Sequence, residues 1–263
     1  MTAKQQKWHE IVAERNQKSI REKKLGLSSK PTQRTQVAYD GGDAAVGLSG
    51  SGYFRAKRYA ADINRGLKVL ENINKGVTVF GSRFGDETQP DYQHARQLGQ
   101  LLAQNGHTVV TGGGPGIMEA ANRGAFEVGG TSVGLRIHLP KMDEEPNVYC
   151  NVDVTFQYFF ARKISLVAAS KCFVFFPGGF GTLDELTEVL VLLQEKKMLP
   201  SQIFLVDSAY WQKFDTFIRE ALDYSGYINP GDINLYTITD DINDIVKSLE
   251  NSPNTTTGQE ELI

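Results

Sequence analysis

The sequence predicts a doubly wound, Rossmann-like α/β domain built on a parallel sheet with helices on both faces. Three observations carry that prediction. Short apolar runs alternate with segments of helical periodicity along most of the chain. The runs are apolar throughout rather than alternating with polar residues, as strands covered on both faces are. Three of the runs end in glycine-containing turns that lead toward helices, the arrangement in which open α/β sheets hold their ligands.

The elements follow in order. Tyr53 to Ile73 is spaced as a helix, with Ala60, Ile63, Leu67, Leu70 and Ile73 on one face. Strands are predicted at Val77 to Phe80, Thr108 to Thr111, Thr131 to Ile137, Val152 to Phe156, Cys172 to Phe176 and Ile203 to Val206. Helices are predicted at Tyr92 to Ala103, Gly116 to Val128, Tyr158 to Ala169, Leu183 to Lys196 and Trp211 to Tyr224, with a last one at Asp241 to Leu249. This gives one domain over residues 53–250, preceded by a basic, partly flexible extension over 1–52 and followed by a polar tail over 251–263. The extension is rich in Lys and Arg and ends in a Gly/Ser/Ala/Asp stretch that reads as a linker. Charge runs without interleaved aromatics usually only solvate, so a solvated arm is favoured over a partner contact.

Composition excludes several functions. The 263 residues suit one substantial domain, and a net charge of -3 gives no reason to expect nucleic acid as a partner. The start of the chain lacks an apolar signal core and no run is long enough to span a membrane, so a cytoplasmic protein is expected. There are two cysteines, Cys150 and Cys172, and the second lies inside an apolar strand, which points to a buried free thiol. The four histidines are scattered. Neither a metal site, a catalytic triad nor a P-loop is visible, and no cofactor is called for.

The chemistry concentrates in the turns. Pro177-Gly178-Gly179-Phe180-Gly181-Thr182 follows a strand and precedes a helix, so its main-chain N–H groups and the helix N-terminus favour an anion, a phosphate above all. Thr111-Gly112-Gly113-Gly114-Pro115-Gly116 makes a second such turn, and Gly81-Ser82 follows the first strand of the domain. The spacing does not match the dinucleotide fingerprint. If the three strands are neighbours, their turns converge on one crevice.

Two side chains stand beside these turns with alternatives open. Thr182-Leu183-Asp184-Glu185 has the spacing of a capping box, which alone would account for Thr182 and Glu185; a carboxylate acting on a bound ligand is the other reading. Arg162, followed by Lys163, lies among apolar residues and must pair, snorkel or face a polar cleft. It either grips phosphate or ribose or forms a structural ion pair.

Taken together these motifs resemble the LONELY GUY (LOG) family. Pro177 to Glu185 resembles its PGGxGTxxE motif, Arg162-Lys163 its Arg-Lys pair and Gly112 to Met118 its GGGxxGxM segment, while the long N-terminal extension looks like the type II branch. The resemblance covers about Tyr53 to Tyr227. It implies a cytokinin riboside 5'-monophosphate phosphoribohydrolase, cutting the N-glycosidic bond of AMP or an N6-modified AMP to free base and ribose 5-phosphate. It further implies Glu185 and Arg162 as catalytic residues. Gly178, Gly179, Gly181 and Thr182 would hold the phosphate, with Gly113, Gly114, Met118, Ser82 and Lys163 contributing to the nucleotide site. The expected assembly is a homodimer or an oligomer of dimers. Many members carry a lysine decarboxylase label, but no context for a pyridoxal phosphate Schiff base is present. The loop Lys141 to Pro146 departs from the Glu-Gln pair of long-form members. A non-catalytic alternative is the molybdenum-cofactor carrier proteins, which share the fold and glycine turns.

Overall fold

The computed structural model describes residues 35–36, 52–71, 73–139 and 146–250. In chain order the elements are β1 (Thr35–Gln36), α1 (Gly52–Leu70), β2 (Gly76–Phe80), α2 (Pro90–Gln104), β3 (Thr108–Thr111), α3 (Ile117–Glu127), β4 (Ser132–Ile137) and β5 (Val152–Phe156). There follow α4 (Phe159–Ala168), β6 (Cys172–Phe175), α5 (Phe180–Gln194), β7 (Gln202–Val206), α6 (Ser208–Phe217), β8 (Thr237–Thr239) and α7 (Ile242–Glu250). Among the described residues eight strands form one parallel sheet in the order β1-β5-β4-β3-β2-β6-β7-β8.

This is the predicted doubly wound α/β fold. From β2 the chain winds through β3 and β4 to β5, then returns to β6 on the other side of β2 and continues outward. Val77 to Phe80 of β2 pair with Cys172 to Phe175 of β6. The winding therefore reverses between these two strands, and a crevice opens beyond their carboxyl ends.

Strand side chains alternate between two helical layers. Val77, Val79, Cys172 and Val174 pack with α2, α3 and α7, whereas Phe80, Phe173 and Phe175 pack with α1, α4, α5 and α6. Both cysteines are buried, and neither is in a disulfide among the described residues. Among the described residues no helix is long and apolar enough to cross a membrane.

Several expectations need correction. Apart from β1 and Gly52, the 1–52 extension lies outside the described residues, as do the 251–263 tail and most of the Lys141 to Pro146 loop. The strand β1 falls within the predicted extension yet pairs with β5 at the sheet edge. Helix α6 ends at Phe217 and passes into a π-helical stretch at Ile218–Asp223. Strand β8 is only three residues long, too short to show periodicity. The buried face of α1 is also rotated: Ala60 and Leu67 are exposed, while Asp62 and Gly66 are buried.

That rotation has a physical cause. A side chain at Gly66 would collide with Ser165 and Phe156, so glycine lets α1 lie close against α4. Helix α4 has no side-chain cap from its own sequence. Instead the Asp62 carboxylate accepts the main-chain N–H groups of Gln157 at 2.9 Å and Tyr158 at 3.0 Å, and Arg65 donates to it at 2.9 Å. An anion at that end complements the dipole of the helix that carries Arg162. Asp62→Ala is expected to cost about 1–2 kcal/mol, read as a lowered midpoint in thermal unfolding. An unchanged midpoint would show that Asp62 is not the cap.

Candidate active site

One residue joins the three turns through its main chain. The Ser82 N–H donates to the Pro177 carbonyl at 2.9 Å, and the Ser82 carbonyl accepts the Ile117 N–H at 3.0 Å. The Gly81-Ser82 turn is thereby bonded to the turn after β6 and to the first residue of α3. Together the turns floor a cleft of about 860 Å³, a size within the range of small-molecule sites. Ser82, Gly113, Gly114, Met118, Gly179, Gly181, Thr182, Arg162 and Glu185 all line it, so most of the predicted site residues are brought together.

The glycine turn after β3 is held from beneath by buried polar groups. Thr111 Oγ1 accepts the Gly113 N–H at 2.9 Å and donates to Asn122 Oδ1, and Asn122 Nδ2 donates to Ser132 Oγ at 2.8 Å. Gly113 and Gly116 take φ of 65° and 72°, which other residues rarely adopt. Gly112 is glycine for a different reason. A Cβ there would fall on the Arg162 guanidinium and against the Met118 sulfur. Gly112→Ala is thus expected to displace Arg162 and lower turnover by about 100-fold, since ångström-scale misplacement costs that much, with little change in melting temperature. Turnover close to that of the parent protein would show that Arg162 does not need this position.

Helix α5 starts at Phe180, three residues before the predicted start, with Gly179 as its N-cap and no side-chain cap. Thr182 is the third helical residue and is buried. The capping-box reading of Thr182 and Glu185 therefore does not hold. The N–H groups of Phe180, Gly181 and Thr182 have no acceptor within the helix, the first such bond running from Leu183 to Gly179 at 3.1 Å. These donors and the positive end of the helix dipole meet the cleft where Phe180, Gly181 and Thr182 line it.

Glu185, one turn further along, faces Arg162 instead. Arg162 comes from α4 and is buried; its Nε donates to the Leu135 carbonyl at 2.7 Å, and Nη1 lies 3.9 Å from Glu185 Oε1. At that separation the two attract without a direct hydrogen bond. Burial pushes the Glu185 carboxyl up to about 7, against the opposing pull of Arg162. Burial likewise lowers the Arg162 guanidinium from its ordinary value. Desolvation thus outweighs their attraction for both groups, and the cleft holds a carboxyl poised near neutral pH beside a fixed cation.

The family model described as "Possible lysine decarboxylase" matches residues 118–249, half of the chain. A cytokinin riboside 5'-monophosphate phosphoribohydrolase of Arabidopsis thaliana, LOG7, is 31% identical over 185 residues, which cover 67% of this chain and 81% of that protein. The chain belongs to the LOG family. A second Arabidopsis thaliana relative of the same description, LOG5, is 29% identical over 70% of this chain and 81% of that protein. The cytokinin riboside 5'-monophosphate phosphoribohydrolase of Mycobacterium tuberculosis is 29% identical over 59% and 82%. Among solved structures, the molybdenum cofactor binding protein of Rippkaea orientalis superposes with a TM-score of 0.51 at 23% identity, covering 67% of this chain and 96% of that one. That likeness is one of fold.

Two residues assigned by the LOG resemblance stand outside the cleft. Lys163 pairs with Asp184 at 2.9 Å and Glu188 at 3.1 Å, both on α5, and so ties α4 to α5. Gly178 does not line the cleft; its carbonyl accepts the Tyr210 hydroxyl at 2.6 Å, and a side chain there would strike Thr182. Among the described residues that line the cleft there is no lysine. Sequence reasoning missed Asp62, Tyr210 and the cleft residue Arg136, and it named Gly112 only as part of its turn. Their roles come from partners distant in sequence, and no local pattern signalled them.

Proposed function

We propose that this chain hydrolyses the N-glycosidic bond of a purine nucleoside 5'-monophosphate, releasing free base and ribose 5-phosphate. AMP and N6-modified AMP are the first substrates to consider, in keeping with the names of its plant and mycobacterial relatives. The observation that carries the reading is Glu185 and Arg162 facing each other 3.9 Å apart beside an anion-binding helix N-terminus.

The phosphate sits on the N–H groups of Phe180, Gly181 and Thr182, next to the main-chain bonds that hold Ser82. This anchor places the ribose over Glu185 and Arg162. As the C1'–N bond breaks, its electron pair leaves on the base, which takes a proton from solvent. Positive charge develops on the ribose, and the Glu185 carboxylate stabilises it. Glu185 accepts one proton of the attacking water, whose oxygen bonds to C1', and later returns that proton to solvent. Arg162 orients the sugar-phosphate and offsets charge on the departing base. Met118, Gly113 and Gly114 shape the wall.

The chain acts as a homodimer in this reading. Phe159, Phe160, Ile164 and Phe180 are exposed on α4 and at the start of α5, and Phe180 is 92% exposed. A monomeric mass in sedimentation at micromolar concentration would remove that part. The activity is tested by incubating the protein with AMP and with isopentenyl-AMP and separating the bases by chromatography. Release of adenine or of the modified base is expected. Release of neither, with tight binding of a phosphorylated pterin, would replace the hydrolase by a carrier.

A further inference from the structure

We infer that Arg136 determines which purine this cleft accepts, selecting bases that carry a carbonyl at C6 over those that carry an amino group. The inference rests on the nucleotide reading of the site above.

Arg136 is at the carboxyl end of β4 and lines the cleft. Its position is fixed on two sides. Nε donates to Asp153 Oδ1 at 2.8 Å, and its stem lies against Gly113, where a Cβ would meet Arg136 Cγ. The side chain is about one quarter exposed and Asp153 one tenth. With Nε committed to Asp153, the two Nη groups of this cleft-lining residue hold no hydrogen bond among the described residues and are available as donors. A guanidinium anchored in this way presents a rigid pair of donors with no acceptor.

Its place in the sheet decides which part of a nucleotide it meets. The phosphate cradle follows β6, and β2 and β3 separate β6 from β4. Three strand spacings amount to roughly 14 Å, comparable to a nucleoside monophosphate laid along the edge of the sheet. Arg162 lies between the two ends, reaching from the Leu135 carbonyl of β4 to Glu185 of α5. With the phosphate on α5 and the ribose over Glu185, the base arrives at Arg136.

The chemistry of the base edge then selects. Hypoxanthine and guanine present O6 and N7, two acceptors that a guanidinium bonds together. Adenine presents N7 beside an N6 amino group, and an N6 substituent adds bulk at the same point. That edge sets a donor against a donor and leaves one Nη group unpaired. Arg136 therefore favours IMP and GMP over AMP and isopentenyl-AMP.

The test measures base release and binding with the full chain for GMP, IMP, AMP and isopentenyl-AMP. For the unaltered protein kcat/KM is expected to be about 10-fold or more higher with GMP and IMP than with AMP, the effect of one bidentate contact. Arg136→Gln should invert that ratio, because the glutamine amide matches the N6/N7 edge of adenine. Thermal melting of the variant confirms that it folds, and Arg136→Lys, a point donor without a fork, should give a ratio between the two. An AMP rate equal to or above the GMP and IMP rates in the unaltered protein would overturn the inference. So would an equal loss on every nucleotide in Arg136→Gln, which would make Arg136 a phosphate contact. If no base is released, calorimetry separates the two ideas: tighter GMP than AMP binding leaves Arg136 as the selector while hydrolysis fails, and equal binding overturns the selector as well.

Discussion

Glu185→Gln is expected to reduce kcat for nucleotide hydrolysis by about 10²–10⁴-fold while the fold persists. Glutamine keeps the shape of the side chain and removes its ability to carry charge or take a proton. Full activity in this variant would end the catalytic assignment. The same substitution has a signature in stability that does not depend on substrate. The Glu185 carboxyl is held up at about 7 by burial, against an ordinary value of 4.5. Between these values the folded protein binds a proton that the unfolded chain has released, so this group's contribution is fully present below about pH 4.5 and is lost as pH rises to about 7. The loss is roughly 3 kcal/mol. Stability measured by denaturant unfolding should therefore fall across that window in the parent protein, and the fall should be smaller by that amount in Glu185→Gln. Parallel curves for the two proteins would place the carboxyl in an ordinary environment. Because Glu185 works as the ionised base in the proposed reaction, kcat/KM is expected to rise with pH through the same region.

Arg162→Ala is expected to lower kcat/KM by about 10³-fold or more, the loss of a fixed cation at a site of developing charge. The substitution also removes the nearest positive group from Glu185, whose carboxyl should move further upward, carrying the acid limb of the pH–rate profile with it. Arg162→Lys should not restore the rate. One ammonium group cannot both bond the Leu135 carbonyl, as Nε does at 2.7 Å, and present charge to Glu185 from a second nitrogen. A rate within threefold of the parent in Arg162→Ala would reduce the pair to a structural contact. So would a shifted acid limb with no loss of rate.

What could be read from the sequence was whatever main-chain geometry forces on residue type. A strand of Cys172-Phe173-Val174-Phe175 has to be covered on both faces, and a turn of Gly112-Gly113-Gly114 has few uses other than close approach. The convergence of the turns was conditional on β3, β2 and β6 being neighbours, which the sheet order then supplied. The capping box at Thr182 could not be separated from the ligand-facing reading because the four-residue spacing is local, whereas the start of α5 is set by Gly179 as N-cap. Lys163 was drawn into the site by its neighbour Arg162, yet successive helical residues point about 100° apart, and its ammonium meets Asp184 and Glu188 instead. Asp62 and Arg136 were illegible for a related reason. Asp62 caps a helix that begins nearly a hundred residues later, and Arg136 depends on Asp153 of the adjacent strand. Pairings of that kind are created by the fold and leave no period in the chain.

The bonds made by Ser82 bear on how the site can change over generations. Both use its main chain, so replacing its side chain leaves Pro177 and Ile117 still tied to it. That end of the cleft is in this sense written in backbone: the side chain at Ser82 is free to vary, while Gly81, Gly116 and Gly178 around it are not, because a Cβ at each would collide with Ile117, Ser82 or Thr182. The opposite end, at β4, is written in side chains and can be rewritten one codon at a time. Under the proposed reading, a lineage built on this scaffold can exchange the group recognised at β4 while the main-chain ties at Ser82 stay in place.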